Sequence, residues 1–162
     1  MGRARAAAGS LVFFVVAPGV VAGLVPWLLT RWEAADPSWW TPLRMLGAGL
    51  LVAGAGVLVH AFARFVVEGI GTPAPVAPTE HLVVGGLYRW VRNPMYLAVT
   101  ATIVGQALLL GRPVLLLYAA VVLLACAAFV RRHEEPVLAR RFGAEYEAYR
   151  RDVPGWWPRR PR

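Results

Sequence analysis

The stretch that decides the fold is Met95 to Val130, M-Y-L-A-V-T-A-T-I-V-G-Q-A-L-L-L-G-R-P-V-L-L-L-Y-A-A-V-V-L-L-A-C-A-A-F-V. Two apolar runs, Met95 to Leu110 and Val114 to Val130, meet through Gly111-Arg112-Pro113. So tight a link implies two antiparallel neighbouring helices. Gln106 is the only strongly polar residue in the first run, and its expected use is a hydrogen bond to another helix, with a ligand contact as the alternative. Cys126, the single cysteine, lies inside the second run, so no disulfide framework and no Cys-based metal site is available.

Outward from this hairpin the chain stays apolar. With 162 residues, of which 58% are hydrophobic, it is short for two sizeable domains and too apolar for an ordinary soluble one. Leu11 to Thr30 is about the 20 residues needed to cross a hydrocarbon core. Its Arg-bearing start raises a cleavable signal peptide as a rival, but the run is long for that and no convincing cleavage site follows. Pro18 and Pro26 are expected to kink this helix or end it early. Arg31 to Pro42 holds Trp32, Trp39 and Trp40, indoles suited to a headgroup layer. Leu43 to Val67 then carries Gly47, Gly49, Gly54 and Gly56, small residues that let helices approach closely. Near its end His60, Arg64 and Glu68 fall on one helical face, which is expected to look inward or reach the interface. Gly69 to Val84, with three prolines, reads as a loop.

Charge supplies the topology. All 17 basic residues are Arg, and the formal net charge is +8. Four helices with both ends on one side would place Arg3, Arg5, Arg64, Arg89, Arg92 and the nine arginines beyond residue 130 together, with Arg31, Arg44 and Arg112 opposite. That bias puts both termini in the cytoplasm, expected to be at the cell inner membrane. Because the charge tracks a membrane side and no recognised binding motif is present, nucleic acid is not an expected partner. The expected fold is all-α and polytopic, about four transmembrane helices followed by an amphipathic cytoplasmic helix, in one domain over 1–162. Within it, 1–81 forms the N-terminal helices and loop and 82–158 the core.

Two segments flank the hairpin. Before it, Gly85 to Tyr96 reads G-G-L-Y-R-W-V-R-N-P-M-Y. Pro94 suits the first turn of a helix and Asn93 the N-cap. The free N–H groups there, with Arg89 and Arg92 alongside, favour an anion; the plainer reading is an interfacial anchor. After it comes R-R-H-E-E-P-V-L-A-R-R-F-G-A-E-Y-E-A-Y-R-R-D-V-P-G-W-W-P. Glu135, Leu138, Phe142, Tyr146, Tyr149 and Val153 share one face of an amphipathic helix, interrupted in expectation by Pro136 and Gly143, with Trp156-Trp157 as a terminal anchor. Glu134 and Glu135, directly after the apolar run, look like partners for a cation or a sugar diol. S-adenosylmethionine is one candidate, among several anionic or mixed-charge ligands, that would use both segments: an arginine and a helix N-terminus for its carboxylate, glutamates for ammonium or diol, aromatic faces for adenine and sulfonium. Methyl transfer mostly demands positioning and needs no catalytic triad.

Those two segments, separated by a helical hairpin and followed by W-W-P, resemble the integral-membrane methyltransferases that include isoprenylcysteine carboxyl methyltransferase and phospholipid N-methyltransferases. The resemblance covers roughly Leu82 to Pro158. It implies S-adenosylmethionine as cofactor, held under the cytoplasmic ends of the last helices, and a lipophilic or lipid-like acceptor entering from the membrane. Cofactor contacts carry over to Tyr88, Arg92, Asn93, Pro94 and Tyr96, and to Glu134, Glu135, Tyr146 and Tyr149. Arg92 and Glu135 are the residues expected to carry catalysis, with Arg92 and Asn93 near the cofactor's carboxylate or amino group, Glu135 on its polar end and Tyr96 lining the pocket. Two departures stand out. Members often have His where Asn93 stands, and many have Gly where Ala98 stands. A reading from another class is a non-catalytic scaffold or small transport subunit whose basic tail binds anionic lipid.

Overall fold

The computed structural model describes residues 12, 16–35, 41–64, 67 and 81–160. Among them every regular element is helical: α1 (Val16–Thr30), α2 (Thr41–Arg64), a 3-10 turn (Gly86–Arg89), α3 (Pro94–Leu110), α4 (Val114–Phe129), α5 (Glu135–Phe142) and α6 (Ala144–Asp152). Two stretches are long and apolar enough to cross a membrane, Thr41–Arg64 and the continuous Val114–Phe142; α1 and α3 are shorter apolar helices. Glu68, Trp39, Trp40, Arg3 and Arg5 lie outside the described residues, as does most of the proline-rich loop.

α2 and α3 lie closest together, and glycine makes this possible. A Cβ on Gly47 would sit 2.5 Å from the Leu109 nitrogen and 2.7 Å from the Gly105 oxygen; one on Gly54 would sit 2.6 Å from the Thr102 hydroxyl. Gly49 and Gly56, on the other face, meet nothing within 4 Å. Small residues thus bring two backbones into contact on one side of α2 only. Leu58 and Phe62 of α2, Ala98, Val99, Ile103 and Ala107 of α3, and Leu115 and Ala119 of α4 form the core. Between α3 and α4 the chain reverses as expected at Gly111, whose φ is +64°, with the Arg112 amide donating to the Ala107 carbonyl at 3.0 Å.

The prolines of α1 do not end it early. α1 continues through both Pro18 and Pro26 by widening into a π turn over Val20–Leu24. Pro26 has no N–H to offer the Ala22 carbonyl, and the Val25 amide bonds to the Val20 carbonyl, one residue further back than in an α-helix. Two carbonyls are therefore left over, and neighbouring helices use them. Gln106 Nε2 donates to the Ala22 carbonyl at 2.6 Å and the Tyr118 hydroxyl to the Val21 carbonyl at 2.7 Å. Trp32 is half exposed, and its indole N–H donates to Gln106 Oε1 at 3.2 Å. Gln106 so makes the interhelical bonds expected of it, and also borders a cavity of about 370 Å³ with Ala22, Leu51 and Thr102.

The same device recurs at Pro136. A second π turn, Val130–Glu134, joins α4 to α5, with the Glu135 amide donating to the Val130 carbonyl. The amphipathic segment is two short helices, broken as expected at Gly143 (φ 51°, ψ −124°), a backbone conformation that only glycine adopts at low cost.

Candidate functional site

The approach to α3 is built around Gly86. Its φ of +57° belongs to the left-handed region, and a Cβ there would lie 2.7 Å from His60 Nε2 and 2.9 Å from Arg64 Nε. Glycine is required on both counts. The His60–Arg64 face of α2 is therefore what this loop rests on. Tyr88, Val91, Asn93 and Pro94 are buried beyond it, whereas Arg89 and Trp90 point to the exterior. Of the two arginines offered by the sequence, Arg92 alone joins the site.

α3 begins at Pro94 as expected, yet Asn93 does not cap it. Asn93 has φ −119° and ψ 52°, makes no side-chain cap bond, and is 5% exposed. Proline at the first helical position keeps the preceding residue out of the α region. Its amide turns the other way, Nδ2 donating to the Gly155 carbonyl at 3.0 Å.

The Arg92 guanidinium is the hub. Nη1 donates to Glu135 Oε1 at 2.7 Å and to the Tyr146 hydroxyl at 3.1 Å, and Nε donates to the Val153 carbonyl at 3.0 Å. The pair is largely enclosed, with 14% and 17% side-chain exposure for Arg92 and Glu135. The second Glu135 oxygen faces Arg150 at 3.7 Å, so one carboxylate is held between two arginines. Glu134 is placed differently: its Oε2 accepts from the Tyr96 hydroxyl at 3.0 Å, and the Trp156 ring lies 6.4 Å from that of Tyr96, centroid to centroid. The Tyr149 hydroxyl donates to the Tyr88 carbonyl at 2.8 Å. Burial pushes the Tyr149 phenol well above its ordinary value, with Arg92 pulling the other way; burial raises Tyr146 too, again offset in part by Arg92. Both stay neutral hydrogen-bonding groups at physiological pH.

All nine residues singled out from the sequence thus lie at one end of the helical bundle, where side-chain bonds join Arg92, Glu135 and Tyr146 in one group and Tyr96 and Glu134 in another. Tyr88 and Pro94 contribute through backbone: the one by its carbonyl, the other by starting α3. What sequence reasoning missed is the return of the chain. Val153 to Trp156 lies across the loop as a strap, the Arg92 amide donating to the Pro154 carbonyl at 2.9 Å and the Arg159 amide to the Trp90 carbonyl at 3.0 Å. Of the expected indole anchor only Trp157, 83% exposed, faces outward, while Trp156 is turned onto Tyr96. Main-chain carbonyls leave no mark in a sequence; the one available signal was Gly155, at which a Cβ would come 3.1 Å from Arg92 Nη2.

A paired arginine and glutamate, a second glutamate bonded to a phenol and a wall of aromatic rings form a polar cluster beside apolar helices. The phospholipid methyltransferase family matches this chain over residues 43–145, well over half its length. The chain belongs to the phospholipid methyltransferase family. Membership makes it a membrane-associated methyltransferase. The family match takes in all but the first two residues of α2, the hairpin and both glutamates, and ends just before Tyr146 and the strap. No curated protein and no solved structure matches the chain.

Proposed function

We propose that this methyltransferase takes its methyl group from S-adenosylmethionine and delivers it to a lipid-like acceptor at the cytoplasmic face of the membrane. The observation that carries the reading is the meeting of Arg92 with Glu135 at 2.7 Å, which joins the segment before the hairpin to the segment after it. The donor set fits the group. S-adenosylmethionine presents a carboxylate, an ammonium, a ribose diol, an adenine ring and a sulfonium, and the cluster offers a guanidinium, two carboxylates, phenols and an indole. When bound, it supplies an activated methyl on sulfur.

The chain's own work is to hold and orient. Arg92 is the anion-binding group, and Glu135, braced by Arg92 and Arg150, fixes the guanidinium. Glu134 presents a carboxyl group whose side-chain partner is a phenol and not a cation, which leaves it as the group to meet a ligand's cation. Tyr88, Asn93, Pro94, Tyr146 and Tyr149 shape the floor, and Tyr96 with Trp156 supplies aromatic faces and excludes water. In this reading residues 82–158 are the cofactor-binding core of a single domain. α1 to α4 are four spans, with both termini cytoplasmic at the inner membrane. A scaffold with a lipid-binding tail has less support, because it gives no use to glutamates drawn into contact with Arg92 and Tyr96.

The test is calorimetric titration of detergent-purified protein with S-adenosylhomocysteine, beside a Glu135→Ala variant. Heat of binding in the parent and none in the variant is expected. Silence in both, with helical circular dichroism intact, refutes the proposal.

A further inference from the structure

Asn93 is the one residue of the candidate site whose behaviour departs from its sequence signal. An asparagine before a helix-starting proline ordinarily offers its oxygen to the helix N–H groups; this one makes no such bond and is almost fully buried. A buried amide has to be satisfied elsewhere. Its Nδ2 is committed to the Gly155 carbonyl, the third in a row of strap carbonyls received by two consecutive residues. Arg92 takes Val153 through Nε and Pro154 through its backbone amide, and Asn93 takes Gly155. The residue that follows Gly155 is Trp156, whose ring lies against Tyr96, and Tyr96 in turn holds Glu134.

We infer that Asn93 is a positioning residue: by holding the Gly155 carbonyl it seats the strap over Arg92 and sets Trp156 against Tyr96 beside Glu134. The inference rests on the methyl-donor reading and adds how the site is closed. A carbonyl accepts and cannot donate, so position 93 must present an N–H. Asp at the same size offers only oxygen when ionised and faces Gly155 with like partial charge. His keeps a ring N–H.

Hydrogen exchange gives a readout independent of activity, because the Arg92 and Arg159 amides are tied to the Pro154 and Trp90 carbonyls. In detergent-purified full-length protein, Asn93→Asp is expected to speed exchange at both amides by about tenfold, the loss of roughly one hydrogen bond. Amides of α3 around Ile103 should stay as protected as in the parent. Affinity for S-adenosylhomocysteine should fall by about the same factor, and Asn93→His should bring both readouts back toward the parent. Gly155→Ala, which presses a methyl group toward Arg92, should loosen the strap from the other side.

Parent-like exchange in Asn93→Asp overturns the inference. So does faster exchange with affinity unchanged, which would make the strap a mere fastener. A parent that does not bind S-adenosylhomocysteine, while its strap still responds to Asn93→Asp, overturns the methyl-donor reading and the positioning role with it; the exchange arm separates that failure from failure of the clamp.

Discussion

Removing the Arg92 guanidinium by Arg92→Leu strips three side-chain hydrogen bonds at once, to Glu135, Tyr146 and the Val153 carbonyl. Glu135 is then left largely enclosed with only Arg150, 3.7 Å away and half-exposed. A carboxylate left there with one distant, half-exposed partner costs part of the about 3–5 kcal/mol of a fully stranded one. Glu135→Gln is gentler. It keeps the size and an acceptor oxygen but turns a charge-assisted bond into a neutral one, at about 1–2 kcal/mol. The double variant Arg92→Leu with Glu135→Leu should cost less than the sum of Arg92→Leu and Glu135→Leu, with a coupling of about 1–3 kcal/mol, because neither charge is stranded. Denaturant unfolding in mixed micelles, followed by circular dichroism, measures all of these. Single variants whose costs add to within about 0.5 kcal/mol would show that the pair is not an energetic unit and would undo the description of Arg92 as the hub.

The glycines of α2 provide a comparison within one helix. Gly47→Ala and Gly54→Ala force a methyl into the backbone or side chains of α3 and should lower the unfolding midpoint, whereas Gly49→Ala and Gly56→Ala meet open space and should be neutral or stabilising by up to about 1 kcal/mol. The tyrosines define an alkaline limit. Burial raises Tyr146 and Tyr149 above the ordinary phenol value of 10.0, so the stability they confer is complete below that pH and is lost as pH climbs through their higher folded values. Absorbance titration at tyrosinate wavelengths should therefore show the parent and Tyr149→Phe alike up to about pH 10 and parting only above it, and a difference below that pH would refute the burial-driven shift.

The parts of this molecule legible in its sequence are those written in side chains. Pro94 announced the start of α3, and Gly111-Arg112-Pro113 announced the reversal. That the segments holding Arg92 and Glu135 share one site was expected through a common ligand; their direct pairing at 2.7 Å was not. Other parts depend on backbone. Pro26 and Pro136 read as kinks because a missing N–H signals a lost bond but not which distant donor will claim the freed carbonyl; Gln106 does so at Ala22. Asn93 read as a cap because its neighbour Pro94 fits one, and the competing acceptor sits 62 residues along the chain. The strap was illegible for the same reason, since three carbonyls look alike in every residue.

The π turn between α4 and α5 has one more consequence. Each residue of an α-helix advances the side-chain direction by about 100°. The wide turn at Val130–Glu134 holds one residue more than a regular turn would, so it works as a phase shifter, rotating all that follows relative to the apolar face of α4. Deleting a single residue there would let the turn close as an ordinary α turn and leave Glu135 beside its arginine, whereas winding all five residues regularly would swing Glu135 by about 100°, with every atom of the glutamate still present and pointing elsewhere.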